Sequence, residues 1–155
     1  MGPQVVALIV LLLVTALLGL VWRSRQGRLR PHAVSDATAD WAPRLSDLGV
    51  GPGSRATFVQ FSAPVCTPCR ATSRVLSALA AGEPGVVHTE IDVEEHPDLA
   101  RESRVLRAPT VLVLDATGAE VVRASGAMTP AQARRALELA TGTVSTRTVD
   151  AGRNA

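Results

Sequence analysis

The ten residues Phe61-Ser62-Ala63-Pro64-Val65-Cys66-Thr67-Pro68-Cys69-Arg70 decide the fold. Upstream, Ala56-Thr57-Phe58-Val59-Gln60-Phe61 is a short apolar, β-branched and aromatic run, which predicts a strand. Pro64 interrupts it. Downstream, Thr67 to Ala80 carries an apolar stripe at Val75, Leu76 and Leu79, closed by Gly82 and Pro84, which predicts a helix. The chain's two Cys therefore fall together as C-x-x-C where a strand feeds a helix. Unpaired backbone N–H groups and the helix dipole favour an anion there, so a Cys66 thiolate is expected, with its pKa below the roughly 8.5 of a free thiol. Cys69, about one turn on, is within reach to resolve a mixed disulfide formed by Cys66. Pro68 sits in the first turn, where its missing N–H costs nothing. A zinc half-site would need two more ligands, and His32, His88 and His96 match no common zinc spacing. A purely structural disulfide would close almost no loop. A vestigial dithiol on a binding scaffold remains open as an alternative.

Further along the chain, Val86 to Val93 predicts a second strand and Pro97 to Ser103 a short helix with Pro97 in its first turn. Thr110 to Leu114 predicts a third strand, Asp115-Ala116-Thr117-Gly118 a hairpin turn, and Glu120 to Ser125 the returning strand. Thr129 then N-caps a helix with Pro130 at its first position, a small-apolar face at Ala133, Ala136, Leu137 and Ala140, and Gly142 as its stop. The strand–helix–strand unit requires a parallel, right-handed crossover, and the last two strands are antiparallel. The fold class is α/β, a four-stranded mixed sheet flanked by helices over residues 54–142, with 143–155 as a flexible tail.

Toward the N-terminus, Val5 to Trp22 contains no charged residue. Eighteen helical residues rise about 27 Å, close to the roughly 30 Å hydrocarbon core. The run lacks the polar face of a surface helix and the basic n-region of a signal peptide. Residues 1–22 are expected to be a single transmembrane anchor and 23–53 a basic juxtamembrane region and linker. Net charge is +2 and the pI about 9.0. All sixteen basic residues are Arg, and four of them (Arg23, Arg25, Arg28, Arg30) cluster beside the run. The other twelve face fourteen acidic residues. The basic character is thus local and orients the anchor, placing the C-terminal part on the cytoplasmic side, with an extracytoplasmic location as the alternative. Aromatics are 3% and Tyr is absent, so stacking platforms for nucleic acid are not expected. The Lys-free, Ala-rich composition suggests a high-GC bacterial chain.

From about Ala56 to Ala140 the residues resemble the thioredoxin family. The resemblance rests on the segment 61–70 quoted above. It also rests on Ile91-Asp92-Val93-Glu94-Glu95-His96-Pro97-Asp98-Leu99-Ala100, on Val105-Leu106-Arg107-Ala108-Pro109-Thr110 and on Gly126. It implies a thioredoxin-like fold and a cis Ala108–Pro109 bond facing the dithiol, against the alternative of a trans Pro opening a strand. It further implies a substrate groove formed by Val65, Ala108, Pro109 and Gly126, in which substrate backbone pairs beside Pro109. Three residues depart from the family's pattern. Val65 replaces the usual Trp before the first Cys. Gln60 replaces the usual buried Asp beneath the dithiol, and Glu90 replaces its usual Lys partner. Gln takes no proton at neutral pH, so the expectation is that Glu90, if desolvated beside Gln60, serves as the missing base; the alternative is a solvated carboxylate. The family's first strand and helix look shortened or lost.

The function expected is membrane-tethered thiol–disulfide exchange, reducing protein disulfides through Cys66 and Cys69, supported by Pro68, Gln60 and Glu90. Alternatives are a non-catalytic binding module and an extracytoplasmic disulfide oxidant or isomerase. No metal or organic cofactor is implied. The expected partners are proteins with disulfides or thiols, an upstream reductase or other dithiol donor, and the membrane. Nucleic acid is not among them, and the chain is expected to be a monomer.

Overall fold

The computed structural model describes residues 2–25, 29–31 and 41–151. In chain order these form α1 (Pro3–Arg25), β1 (Leu29–Pro31), α2 (Trp41–Asp47), β2 (Ala56–Ser62), α3 (Thr67–Gly82) and β3 (Val86–Asp92). There follow α4 (Pro97–Glu102), β4 (Thr110–Asp115), β5 (Glu120–Ser125) and α5 (Pro130–Ala151). The expected four-stranded mixed sheet is present in the order β5-β4-β2-β3, with β2 and β3 parallel and the other pairs antiparallel. β2 and β4 lie at its centre, and every residue of both is buried. Their alternate side chains build two cores. Ala56, Phe58, Val111 and Val113 meet Leu76 of α3 and Ala133, Ala136, Leu137 and Ala140 of α5. Val59, Phe61, Leu112 and Leu114 meet Trp41 and Leu45 of α2 and Ala100 of α4. Helices thus cover both faces, as a sheet buried on both sides requires.

The structure corrects the sequence reading in three places. A fifth strand, β1, pairs antiparallel with β5 through Leu29↔Ala124 and Pro31↔Val122, in a stretch read as linker. Its proline is tolerated because the strand lies at the sheet edge. α2, also read as linker, is a packed helix: Trp41 is 1% and Leu45 0% exposed, and the Trp41 main-chain N–H donates to the Gly118 carbonyl at 3.2 Å. Gly142 does not stop α5, which continues to Ala151 where a flexible tail was expected. A glycine inside a helix costs only about 1 kcal/mol, and no proline follows to end it.

The segment expected to span a membrane lies in α1. Its described apolar side chains are exposed, among them Leu8, Leu11, Leu12, Leu17 and Leu18. Among the described residues no helix is long and apolar enough to cross a membrane. The side chains described on α1 end at Leu20, which leaves out Val21 and Trp22 of the apolar run. Arg28, His32, the segment 32–40 and the last four residues, 152–155, lie outside the described residues.

Candidate active site

β2 delivers the chain to the dithiol. After Ser62, Pro64 ends the strand, and Cys66 takes an extended conformation (φ −137°, ψ 99°) as the N-cap of α3. Cys66 and Cys69 form a disulfide with their Cα atoms 5.2 Å apart. The two sulfurs are not equivalent. Cys66 is partly exposed, whereas Cys69 is 2% exposed. The Cys69 N–H points at Cys66 Sγ from 3.1 Å, one of the unpaired N–H groups of the helix start. A thiolate on Cys66 would find that donor already in place. Pro68 lies in the first turn, as expected, and its carbonyl accepts from Thr72 Oγ1 at 2.9 Å. The same hydroxyl oxygen accepts from the Met128 N–H at 3.1 Å, tying the first turn of α3 to the loop after Gly126.

β4 brings up the other wall. Phe61 pairs with Thr110, so Pro109, one residue earlier, lies at the sheet end from which the chain runs to Cys66. The Ala108–Pro109 peptide is cis. The Pro109 carbonyl accepts from the Gly126 N–H at 2.8 Å. Gly126 has φ 96°, a conformation that side chains with a Cβ rarely adopt. The Ala108 main-chain N–H and C=O have no partner among the described residues, so they are open to an added extended segment. Val65 is 95% and Leu106 94% exposed. Apart from those on α1, they are the large apolar side chains left exposed among the described residues, and both adjoin the reacting segments.

Beneath the pair, Gln60 is fully buried. Its Nε2 lies 2.8 Å from Ser62 Oγ, 3.1 Å from the Cys69 carbonyl oxygen and 3.1 Å from Glu90 Oε1. Glu90 Oε1 also accepts from Ser62 Oγ, and Glu90 Oε2 from Ser73 Oγ at 2.8 Å. Glu90 itself is exposed, so the condition set for it as a desolvated base is not met. It stands opposite Gln60 in the parallel β2–β3 pairing at the rim, where the sheet leaves it open to water. Two residues earlier, His88 shares a hydrogen bond with Ser77 (Nδ1···Oγ 3.1 Å). Burial holds its pKa below 6.5, an effect the Glu90 carboxylate partly opposes.

The structure brings Gln60 into hydrogen-bond contact with Cys69 and Glu90 and joins Pro109 to Gly126, while Val65, Cys66, Pro68 and Ala108 lie on the segments that leave or enter this end of the sheet. Sequence reasoning missed Ser62, Thr72, Ser73 and Leu106. Ser73 and Ser77 stand one turn apart on α3, a polar seam that the helical period could have flagged. Leu106 gave no signal, because a lone Leu in a loop reads as core.

A cysteine pair closing the first turn of a helix, at the sheet end that carries a cis-proline, is an arrangement that can carry thiol–disulfide exchange. The family model Thioredoxin matches residues 38–138, and the chain belongs to that family. It is 37% identical over 93 residues to "Putative thioredoxin H10" of Arabidopsis thaliana, covering 59% of this chain and 58% of that one. It is 37% identical over 73 residues to "Thioredoxin" of Chlamydia trachomatis, covering 47% of this chain and 71% of that one. Among solved structures it resembles the thioredoxin of Fasciola hepatica at 28% identity and TM-score 0.54, over 66% of this chain and 92% of that one. The thioredoxin h of Nicotiana alata gives 29% and 0.53, over 67% and 88%. The chain spans 58% of the length of the Arabidopsis relative.

Proposed function

We propose that the chain reduces protein disulfides while tethered to a membrane, with Cys66 as nucleophile and Cys69 as resolving thiol. The observation that carries the chemistry is the asymmetry of the pair: a partly exposed Cys66 at a helix N-terminus and a buried Cys69 one turn on. Cys66 thiolate attacks one sulfur of a substrate disulfide and displaces the other. Cys69 then attacks Cys66 Sγ, releasing the second substrate sulfur and leaving the disulfide seen here. The open main chain at Ala108 supports an extended peptide as substrate, and turnover calls for a dithiol donor or reductase. The tether rests on the sequence, in which Val5 to Trp22 is an uncharged run of about the length a membrane crossing needs. The Arg cluster after it supports a cytoplasmic domain, a compartment that keeps such pairs reduced. The Arg-only, Ala-rich composition supports a bacterial origin.

Insulin reduction with dithiothreitol as donor tests the reaction. Wild type is expected to accelerate it and Cys66→Ser to abolish the acceleration. An inert wild type would favour a binding module. Cys69→Ser is expected to accumulate mixed disulfides through Cys66. Fractionation and a membrane-impermeant thiol reagent on intact cells test the rest: the chain should pellet with membranes and resist labelling until lysis.

A further inference from the structure

Three acceptors fix the Gln60 amide: Ser62 Oγ, the Cys69 carbonyl and Glu90 Oε1 all lie about Nε2. Nε2 has two hydrogens, so these partners use its whole capacity and settle which end of the amide is which. The other end, Oε1, is buried without a hydrogen-bond partner. A buried carbonyl oxygen with no donor is unfavourable, and such an atom on a residue that hydrogen-bonds Cys69 calls for an explanation. The disulfide has no hydrogen to offer. The reduced pair has one, the Cys69 S–H, on the buried residue whose carbonyl already touches this amide.

We infer that Gln60 is a positioning residue for the resolving thiol: on reduction its Oε1 accepts the Cys69 S–H and holds Cys69 as a neutral thiol while Cys66 carries the thiolate. This rests on the dithiol-exchange reading above. After Cys66 has formed a mixed disulfide, the first substrate sulfur leaves as a thiolate and takes a proton from water. The Cys69 S–H then gives up its proton as its sulfur bonds to Cys66 Sγ. The Cys66–substrate bond breaks, and the second substrate sulfur leaves with the electron pair and takes up a proton. Gln60 stores no proton, because an amide is not basic at neutral pH. The resolving step therefore follows the ionisation of Cys69 alone. The charged and titratable groups around Gln60 are few. β3 presents Glu90, which is exposed, and His88, which is held by Ser77; α3 presents exposed Arg70 and Arg74. β4 presents Val111, and the loop before α5 presents Met128.

The test is stopped-flow reaction of the reduced full-length chain with a chromogenic bis(nitrobenzoate) disulfide. The first coloured thiolate reports attack by Cys66 and the second reports resolution by Cys69. For wild type the second rate should rise roughly tenfold per pH unit towards a single inflection, that of the thiol. Gln60→Glu should add a second inflection. Gln60→Met removes the acceptor at similar volume. It should shift the equilibrium with dithiothreitol towards the disulfide by roughly three- to tenfold, the value of one modest hydrogen bond. A merely structural role, carried by Nε2 contacts common to both redox states, would leave that equilibrium unmoved. A second inflection in wild type, or an unchanged equilibrium in Gln60→Met, overturns the inference. If Gln60→Met does not fold, the wild-type and Gln60→Glu profiles decide. The readout needs no protein substrate, so its failure is distinct from a failure to reduce insulin.

Discussion

Replacing Trp41 with Ala should unfold the domain at markedly lower temperature, although a polar, proline- and glycine-punctuated stretch surrounds the residue. Trp41 is 1% exposed, packs edge-on against Phe61 at 6.1 Å and 71°, and lies under the Arg44 guanidinium at 5.3 Å. Truncating a buried Trp to Ala costs about 3–5 kcal/mol, a range that already includes most of the aromatic-pair and cation–π contributions. Domains of this size have about 5–15 kcal/mol in total, and each kcal/mol moves the melting midpoint by about 4–8 °C. A loss of about 4 kcal/mol therefore predicts a midpoint lower by roughly 15–30 °C. Trp41→Phe should behave quite differently. It keeps a ring against Phe61 and removes an indole N–H that is buried without a partner. Relief of that desolvation, about 1–3 kcal/mol, offsets the smaller cavity, so the net cost should be about 1 kcal/mol or less. Far-ultraviolet circular dichroism of the oxidised full chain during heating reads both. A Trp41→Ala midpoint within about 4 °C of wild type would refute the assignment of α2 to the cooperative unit. Equal losses in Ala and Phe would show that the indole nitrogen is satisfied.

Leu106→Ser and Val65→Ser should each lower kcat/KM for protein disulfides by roughly five- to thirtyfold, the value of about 1–2 kcal/mol of apolar burial against substrate, with a small chromogenic disulfide unaffected. An equal loss on both substrates would place these side chains outside the contact. His88 has a folded-state pKa below 6.5, so between the two values the unfolded chain binds more protons. Stability should therefore fall as pH drops through about 6.5, and His88→Gln should flatten that decline; parallel urea midpoints for the two proteins would exclude it. Arg123 grips Glu120 with two bonds of 2.7 and 2.8 Å and donates to the Ser103 carbonyl at 2.6 Å. Arg123→Ala takes the guanidinium from a carboxylate whose side chain is 2% exposed and should cost about 3 kcal/mol or more in a urea melt, much of it regained by Arg123→Met with Glu120→Leu.

The elements legible in the sequence were those with a clear period and a clear stop. β2 and β4 show short runs rich in β-branched, leucine and aromatic residues, β5 follows a hairpin turn with Val121-Val122, and α3 has an apolar stripe ended by glycine and proline. α2 was not legible because its seven residues bury only Trp41 and Leu45, four apart, which is too little for a periodicity. β1 is Leu-Arg-Pro, and only β5 beside it makes it a strand. The cysteine pair announced itself by its place before a helix. The cis bond at Pro109 came from the family resemblance and not from any local rule. What the sequence could not convey was exposure: Glu90 was expected to act if desolvated, and whether a residue at the end of β3 is covered depends on how far α3 overhangs the sheet.

The departures at positions 60 and 90 meet in the structure. The parallel pairing sets Gln60 beside Glu90, with the amide nitrogen 3.1 Å from the carboxylate. With an acid at 60, a carboxylate at 90 would put two like charges within hydrogen-bond distance, and one of them would have to stay protonated. An amide removes that conflict and gives the carboxylate a donor. It also turns the remaining end of residue 60 into a plain acceptor beneath the dithiol, where the family's pattern has a group that can take a proton. The cross-strand electrostatics that an acidic residue 90 demands therefore dictate the chemistry available to Cys69. The acid-free resolving step proposed for Cys69 would then follow from the β2–β3 register as much as from Gln60 itself.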